Sequence, residues 1–221
     1  MTTTTLEHDG TGGTADGSAD RRPSGPGGTV RATRPFAWLL VIAGALGLLA
    51  SWVITEDKVK LLQDPDFKPG CSLNPIISCG NIMQSDQASV FGFPNPMIGL
   101  VAFGVVVAIG VGALAGAAYR PWYWLGLQAG TVFGVAFVTW LQYQSLYVIG
   151  SLCLWCSLAW AATILLFWYT LVHNLRHGVI PAPEGLRGAV LEFHWAVPVV
   201  WYGVIVMLIL TRWWSYWSTL V

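Results

Sequence analysis

Long uncharged apolar runs alternate with short polar segments along most of this chain, and their lengths are those of membrane spans. Met1 to Thr33 is the exception, being Thr, Gly, Ser, Asp and Arg with almost no large apolar side chain. Such a stretch buries too little surface to offset chain entropy, so residues 1–35 are expected to form a disordered cytoplasmic tail. Phe36 to Ile54 then runs without a charge behind Arg21, Arg22, Arg31 and Arg34. The long leader and the lack of a small-x-small closing site predict an anchoring first span instead of a cleaved signal.

Glu56 to Pro96 is the one long polar connection, and structured loops of that length are usually functional. A second span is predicted from about Met97 to Ala118. From Pro121 to Leu175 there is no Asp, Glu, Lys or Arg. At about 1.5 Å per residue one helix of that length would exceed twice a hydrocarbon core of about 30 Å, so the segment must turn back. Gly150-Ser151 is the best turn, giving spans of about Trp122 to Val148 and Leu152 to His173. After an amphiphilic connection over 176–194, a fifth span is expected from about Trp195 to Trp214, within a C-terminal unit 195–221. Its end is rich in interfacial aromatics. On one face of the third span Gly126, Gly130 and Gly134 stack at intervals of four, which predicts close approach of a neighbouring helix.

Composition narrows the class. Hydrophobic residues make up 55% and charged residues 10%, with mean hydropathy +0.60, against about 25% charged in ordinary soluble domains. An all-α integral membrane protein follows. The formal net charge is zero and the basic residues form no patch, which excludes nucleic acid as a partner. No carboxylate or lysine lies inside the first four spans, so the chain lacks the usual equipment of an ion path or transporter. Arg21, Arg22, Arg31, Arg34, Arg120, Arg176 and Arg187 flank one side, and Lys58, Lys60, Lys68 and Arg212 the other. That bias puts the N-terminus in the cytoplasm and the 56–96 loop outside.

The candidate chemistry is sulfur. Cys71 and Cys79 lie in the polar loop, and Cys153 and Cys156 at the start of the fourth span, all expected on the extracytoplasmic side, where disulfides persist. Four cysteines allow three pairings. Cys153-Leu154-Trp155-Cys156 sets two sulfurs one helical turn apart. With Ser151 as a plausible N-cap, both sit where the helix terminus favours thiolate. Cys71 and Cys79 flank a Pro-containing segment that a disulfide can close, as a static staple or as a redox pair. The seven-residue gap is a poor match to structural zinc spacing, and no metal is expected.

Taken in order, Cys71, Cys79, Ser85, Phe91-Gly92, Asn95 and the Cys153/Cys156 pair resemble the vitamin K epoxide reductase family, in particular its bacterial disulfide-forming branch. The resemblance covers about Phe36 to His173. It implies a four-helix catalytic unit over residues 36–175 around a quinone of menaquinone or ubiquinone type, capped by the extracytoplasmic cysteine loop, with the fifth helix as an addition. It implies that Cys156 reacts with the quinone, that Cys153 is its partner and is attacked by Cys79, and that Cys71 first receives electrons. Asn95 resembles the residue that hydrogen-bonds a quinone carbonyl, and Ser85 the loop residue that supports the cap. Trp160 stands where many members have tyrosine, keeping an aromatic wall and losing a hydroxyl. No fused thioredoxin-like stretch is seen, so the implied partner is a separate extracytoplasmic thioredoxin-fold, DsbA-like protein. The implied activity is reoxidation of that partner with transfer of its electrons to a membrane quinone, supporting disulfide formation in exported proteins.

Overall fold

A computed structural model of the chain describes residues 28–64, 66–72, 74 and 76–218. The expected tail therefore falls mostly on residues outside the described ones. Its last part is ordered: Val30–Arg31 forms a short strand, β1, antiparallel to β2, Ala118–Tyr119. Val30 is buried, and its carbonyl accepts a 3.2 Å hydrogen bond from Nε1 of the buried Trp124. Burial of one valine and one indole thus fixes a segment whose composition alone reads as disordered.

Four helices are long and apolar enough to cross a membrane: α1 over Arg34–Gln63, α3 over Pro96–Leu114, α4 over Pro121–Tyr143 continuing to Ile149, and α5 over Leu154–Arg176. The chain is an all-α membrane bundle. Between α1 and α3 lies a short helix, α2, over Cys79–Gln84. α1 continues well past Ile54, so the polar loop begins at Asp64 and not at Glu56. An i,i+4 ion pair, Lys60 Nζ to Glu56 Oε1 at 2.7 Å, supports the extension. The expected turn is present: a π-helical stretch, Gln144–Ile149, ends α4 at Gly150, whose φ of 69° suits glycine.

α1 packs along α3 and α5, and α5 packs on α4. The α1–α3 contact is built on small residues. A Cβ on Gly44 would meet Val107 Cγ2 at 2.9 Å, one on Gly110 would meet Val41 Cγ2 at 2.8 Å, and the Phe103 ring lies directly over Gly47. Leu40, Trp124 and Ile164 are fully buried around this seam.

The glycines of α4 behave otherwise. Nothing lies within 4 Å of a Cβ built on Gly126 or Gly130, and only Thr163 Cγ2, at 3.2 Å, approaches one on Gly134. The expectation of close helix packing at this triplet is therefore corrected, because α3 and α4 barely touch and the glycines line a cavity between them.

Beyond α5, α6 (Glu184–Glu192) and α7 (Ala196–Arg212) meet at a 65° bend and count as a fifth candidate span only when taken together. Four side-chain hydrogen bonds among the described residues hold this pair on the bundle, one of them from the Arg187 guanidinium on α6 to the Arg176 carbonyl at 2.8 Å. Tyr202 Oη donates to the Ala161 carbonyl at 2.7 Å, Arg212 Nε to Leu146 at 2.9 Å, and Trp168 Nε1 to His194 at 2.6 Å.

Candidate functional site: a row of four sulfurs between a groove and a cavity

The loop carrying Cys71 and Cys79 is shaped by its own side chains and then tied to α5. Asn74 Oδ1 accepts from the amides of Ile76 and Ile77, at 3.0 and 2.7 Å, which folds the chain back in an Asx turn. Ile77 bridges Leu152, with Ser78 N–H donating to the Leu152 carbonyl at 3.0 Å and Leu152 N–H to Ile76 at 2.8 Å. Asn81 Nδ2 adds a 3.1 Å bond to Ser151 Oγ. Cys79, the first residue of α2, is thereby held against Cys153, the residue that opens α5.

Cys71 and Cys79 form a disulfide, and Cys153 and Cys156 are free thiols. Cys79 Sγ lies 3.0 Å from Cys153 Sγ, and both residues are fully buried. The sulfurs of Cys71, Cys79 and Cys153 fall within 4.8 Å of one another. Because two of these three are already bonded to each other, the cluster suits thiol–disulfide exchange better than metal ligation, which needs separate thiolates.

The N-cap of α5 is Cys153 itself, not Ser151 as the sequence suggested. Its sulfur accepts from the Cys156 amide at 3.4 Å. Ser151 is instead used in the turn, where its hydroxyl takes the Asn81 bond. Hydrogen bonding from the Cys156 thiol, helped by the amides of Cys156 and Trp155, holds the Cys153 thiol below its ordinary range even though burial opposes this. A low thiol pKa makes Cys153 a good leaving group in exchange.

The two outer members of the row face different surroundings. Cys71 lines an open groove of about 590 Å³ together with Asp57, Gly70, Leu154 and Trp155. Cys156 lines a largely apolar cavity of about 510 Å³ between α3, α4 and α5. Gly126 and Gly130 are exposed on the cavity's flank, so the space opens sideways between α3 and α4.

Three other residues expected at the site also line this cavity. Asn95 is buried, its Oδ1 accepting from Val90 N–H at 3.1 Å and its Nδ2 donating to the Gln87 carbonyl at 2.7 Å. The side chain thus fixes the turn above the cavity with one amide proton still uncommitted among the described residues. Ser85 donates its hydroxyl to the Ile82 carbonyl at 2.7 Å. Trp160 is buried and packs with Ile76, Leu146, Leu152 and Trp213 under the cysteine loop.

Sequence reasoning missed Asp57 and Trp155 beside Cys71, since nothing in their spacing connects the end of α1 with the start of α5. It also assigned Gly126 and Gly130 to packing, although their regular spacing did single out the right face. Comparison with individual curated proteins gave no match. The vitamin K epoxide reductase family model matches residues 38–171, more than half of the chain and the stretch that holds all four cysteines, and the chain belongs to that family of membrane oxidoreductases.

Proposed function

We propose that this protein oxidises the dithiol of a separate thioredoxin-fold protein and delivers the electrons, through two cysteine pairs, to a membrane quinone. The observation that carries the reading is the sulfur row itself. Cys71 opens on a groove, Cys79 and Cys153 are sealed 3.0 Å apart, and Cys156 opens on an apolar cavity. By the positive-inside bias the groove is extracytoplasmic.

The exchange proceeds by thiolate attack. A partner thiolate attacks Cys71 Sγ, the Cys71–Cys79 bond breaks, and the partner's second thiol resolves the mixed disulfide, leaving both loop cysteines reduced. Cys79 attacks Cys153 of an oxidised Cys153–Cys156 pair and expels Cys156 as a thiolate. Cys71 then attacks Cys79, re-forming the loop disulfide and releasing Cys153, whose departure is favoured by a hydrogen bond from the Cys156 thiol once Cys156 has taken up a proton. Two electrons now reside on Cys153 and Cys156, the same redox state as in this structure.

The cavity residues fit a quinone. The walls are apolar, the side opening gives room for a lipid-soluble tail, and the uncommitted Asn95 amide proton is a donor for a carbonyl oxygen. A bound quinone supplies the two-electron acceptor, and the Cys153/Cys156 dithiol returns to a disulfide as two electrons and two protons are handed over. Ser85 and Trp160 serve to hold the cap and wall of this space. The direct test is purification in lipid, addition of a soluble dithiol, and spectroscopic measurement of a short-tailed quinone. Stoichiometric, enzyme-dependent quinol formation is expected, and a rate equal to the protein-free control would refute the proposal.

A further inference from the structure

We infer that the groove beside Cys71 is a docking site selective for a cysteine-bearing protein segment with a cationic side chain next to its cysteine. The inference rests on the relay proposed above and adds to it the chemistry of the partner.

Cys71, itself only 7% exposed, is the only one of the four cysteines that lines this groove, since Cys79 and Cys153 are fully buried and Cys156 faces the cavity. Attack from outside therefore has one address. The groove passes between the end of α1 and the start of α5, with Leu154 and Trp155 as an apolar shelf and Gly70 leaving the approach to Cys71 free of a side chain, with nothing within 4 Å of a Cβ built there.

One charge stands in it, the half-buried Asp57. The neighbouring charges on α1 are accounted for elsewhere. Lys60 is paired with Glu56, and the Lys58 ammonium donates to the Met83 carbonyl. Asp57 makes no hydrogen bond or close ion pair among the described residues, and feels Lys60 and Glu56 only through space. A half-buried carboxylate with no hydrogen-bonded or salt-bridged partner is the complement of a cation on whatever fills the groove, and a like charge there is repelled.

The step served is a single exchange. The segment's thiolate forms a bond to Cys71 Sγ, the Cys71–Cys79 bond breaks, and Cys79 leaves with the electron pair. The proton of the incoming thiol goes to solvent, and the cation is held by Asp57 while this occurs.

Two reduced peptides identical except for Lys or Glu beside the cysteine test this with the full-length protein in lipid discs. The readout is the rate of mixed-disulfide formation at Cys71, mapped by mass spectrometry. Each rate is divided by that of the same peptide with the uncharged hydroxyethyl disulfide, which removes the peptide's own thiol reactivity. The normalised Lys/Glu ratio is expected to be about tenfold at low salt, to fall to about one in Asp57→Asn, and to invert in Asp57→Lys. In 1 M salt, where the screening length is about 3 Å, the wild-type preference should shrink the same way. An equal ratio in the wild type and Asp57→Asn would overturn the inference and leave the relay standing. Failure of both peptides to react at Cys71, with the disulfide present, would overturn the relay and the docking site together.

Discussion

The two ends of the sulfur row are chemically opposite. At one, Cys71 meets an open groove bearing a carboxylate; at the other, Cys156 meets apolar walls and two glycines whose missing side chains leave space. Between them Cys79 and Cys153 are excluded from both. In the proposed function this difference keeps a water-soluble donor and a lipid-soluble acceptor apart while joining them electronically. Neither reactant touches the other, and only disulfide exchange crosses the 3.0 Å gap between the pairs.

Blocking one end should leave the other working. The largest expected effect is from Gly130→Trp, which places an indole in the cavity. Quinone reduction should fall about 100-fold, the scale on which misplacement of a bound reactant slows a reaction, while mixed-disulfide formation at Cys71 stays within about twofold. Loss of both activities in a protein that still purifies as a folded bundle would show that the two ends are not separate. The same substitution at Gly110 provides the contrast, because a Cβ there would already lie 3.0 Å from the Leu40 Cβ across the α1–α3 seam. Overpacking at that seam, about 1–3 kcal/mol or more, should appear as a lowered melting temperature, a signature Gly130→Trp should lack.

A smaller effect is expected at Asn95. Asn95→Asp keeps an acceptor for the Val90 amide but removes the Nδ2 donor, so the quinone step should slow by up to about 100-fold. Exchange at Cys71 should be little changed. An equal loss at both ends, measured by separate stopped-flow assays of the two half-reactions, would assign Asn95 to shaping the loop. The smallest effect is the roughly tenfold charge preference expected from Asp57 at the groove end.

Much of this was legible in the sequence because membrane spans announce themselves by length and lack of charge. The turn at Gly150, the four long spans and the placing of Cys153 and Cys156 at the start of the fourth span follow from local rules. What local rules could not supply was the meeting of distant parts. The strand pairing of Val30 with Tyr119, the helical continuation through Glu56 and Lys60, and the capping of α5 by a cysteine sulfur all depend on contacts or competitions that composition averages away. Glycine is the clearest instance. Gly44 and Gly110 admit a neighbouring helix, Gly126 and Gly130 admit none, and the regular spacing of four belongs to the pair that does not pack. A small residue permits approach but does not name what approaches.

In the proposed relay, electrons cross between the two pairs through a Cys79–Cys153 disulfide. Replacing both Cys71 and Cys156 with serine leaves only those two sulfurs and removes each thiol able to resolve the bond between them, since a serine hydroxyl does not supply the thiolate that exchange requires. Peptide mapping of this Cys71→Ser, Cys156→Ser protein under non-reducing conditions, after mild oxidation, should recover a cross-linked pair joining the loop to the start of α5 in nearly every molecule. In Cys156→Ser alone the same bond should appear in part, in competition with Cys71–Cys79. Recovery of Cys79 and Cys153 as separately alkylated thiols in the oxidised double variant would contradict the relay.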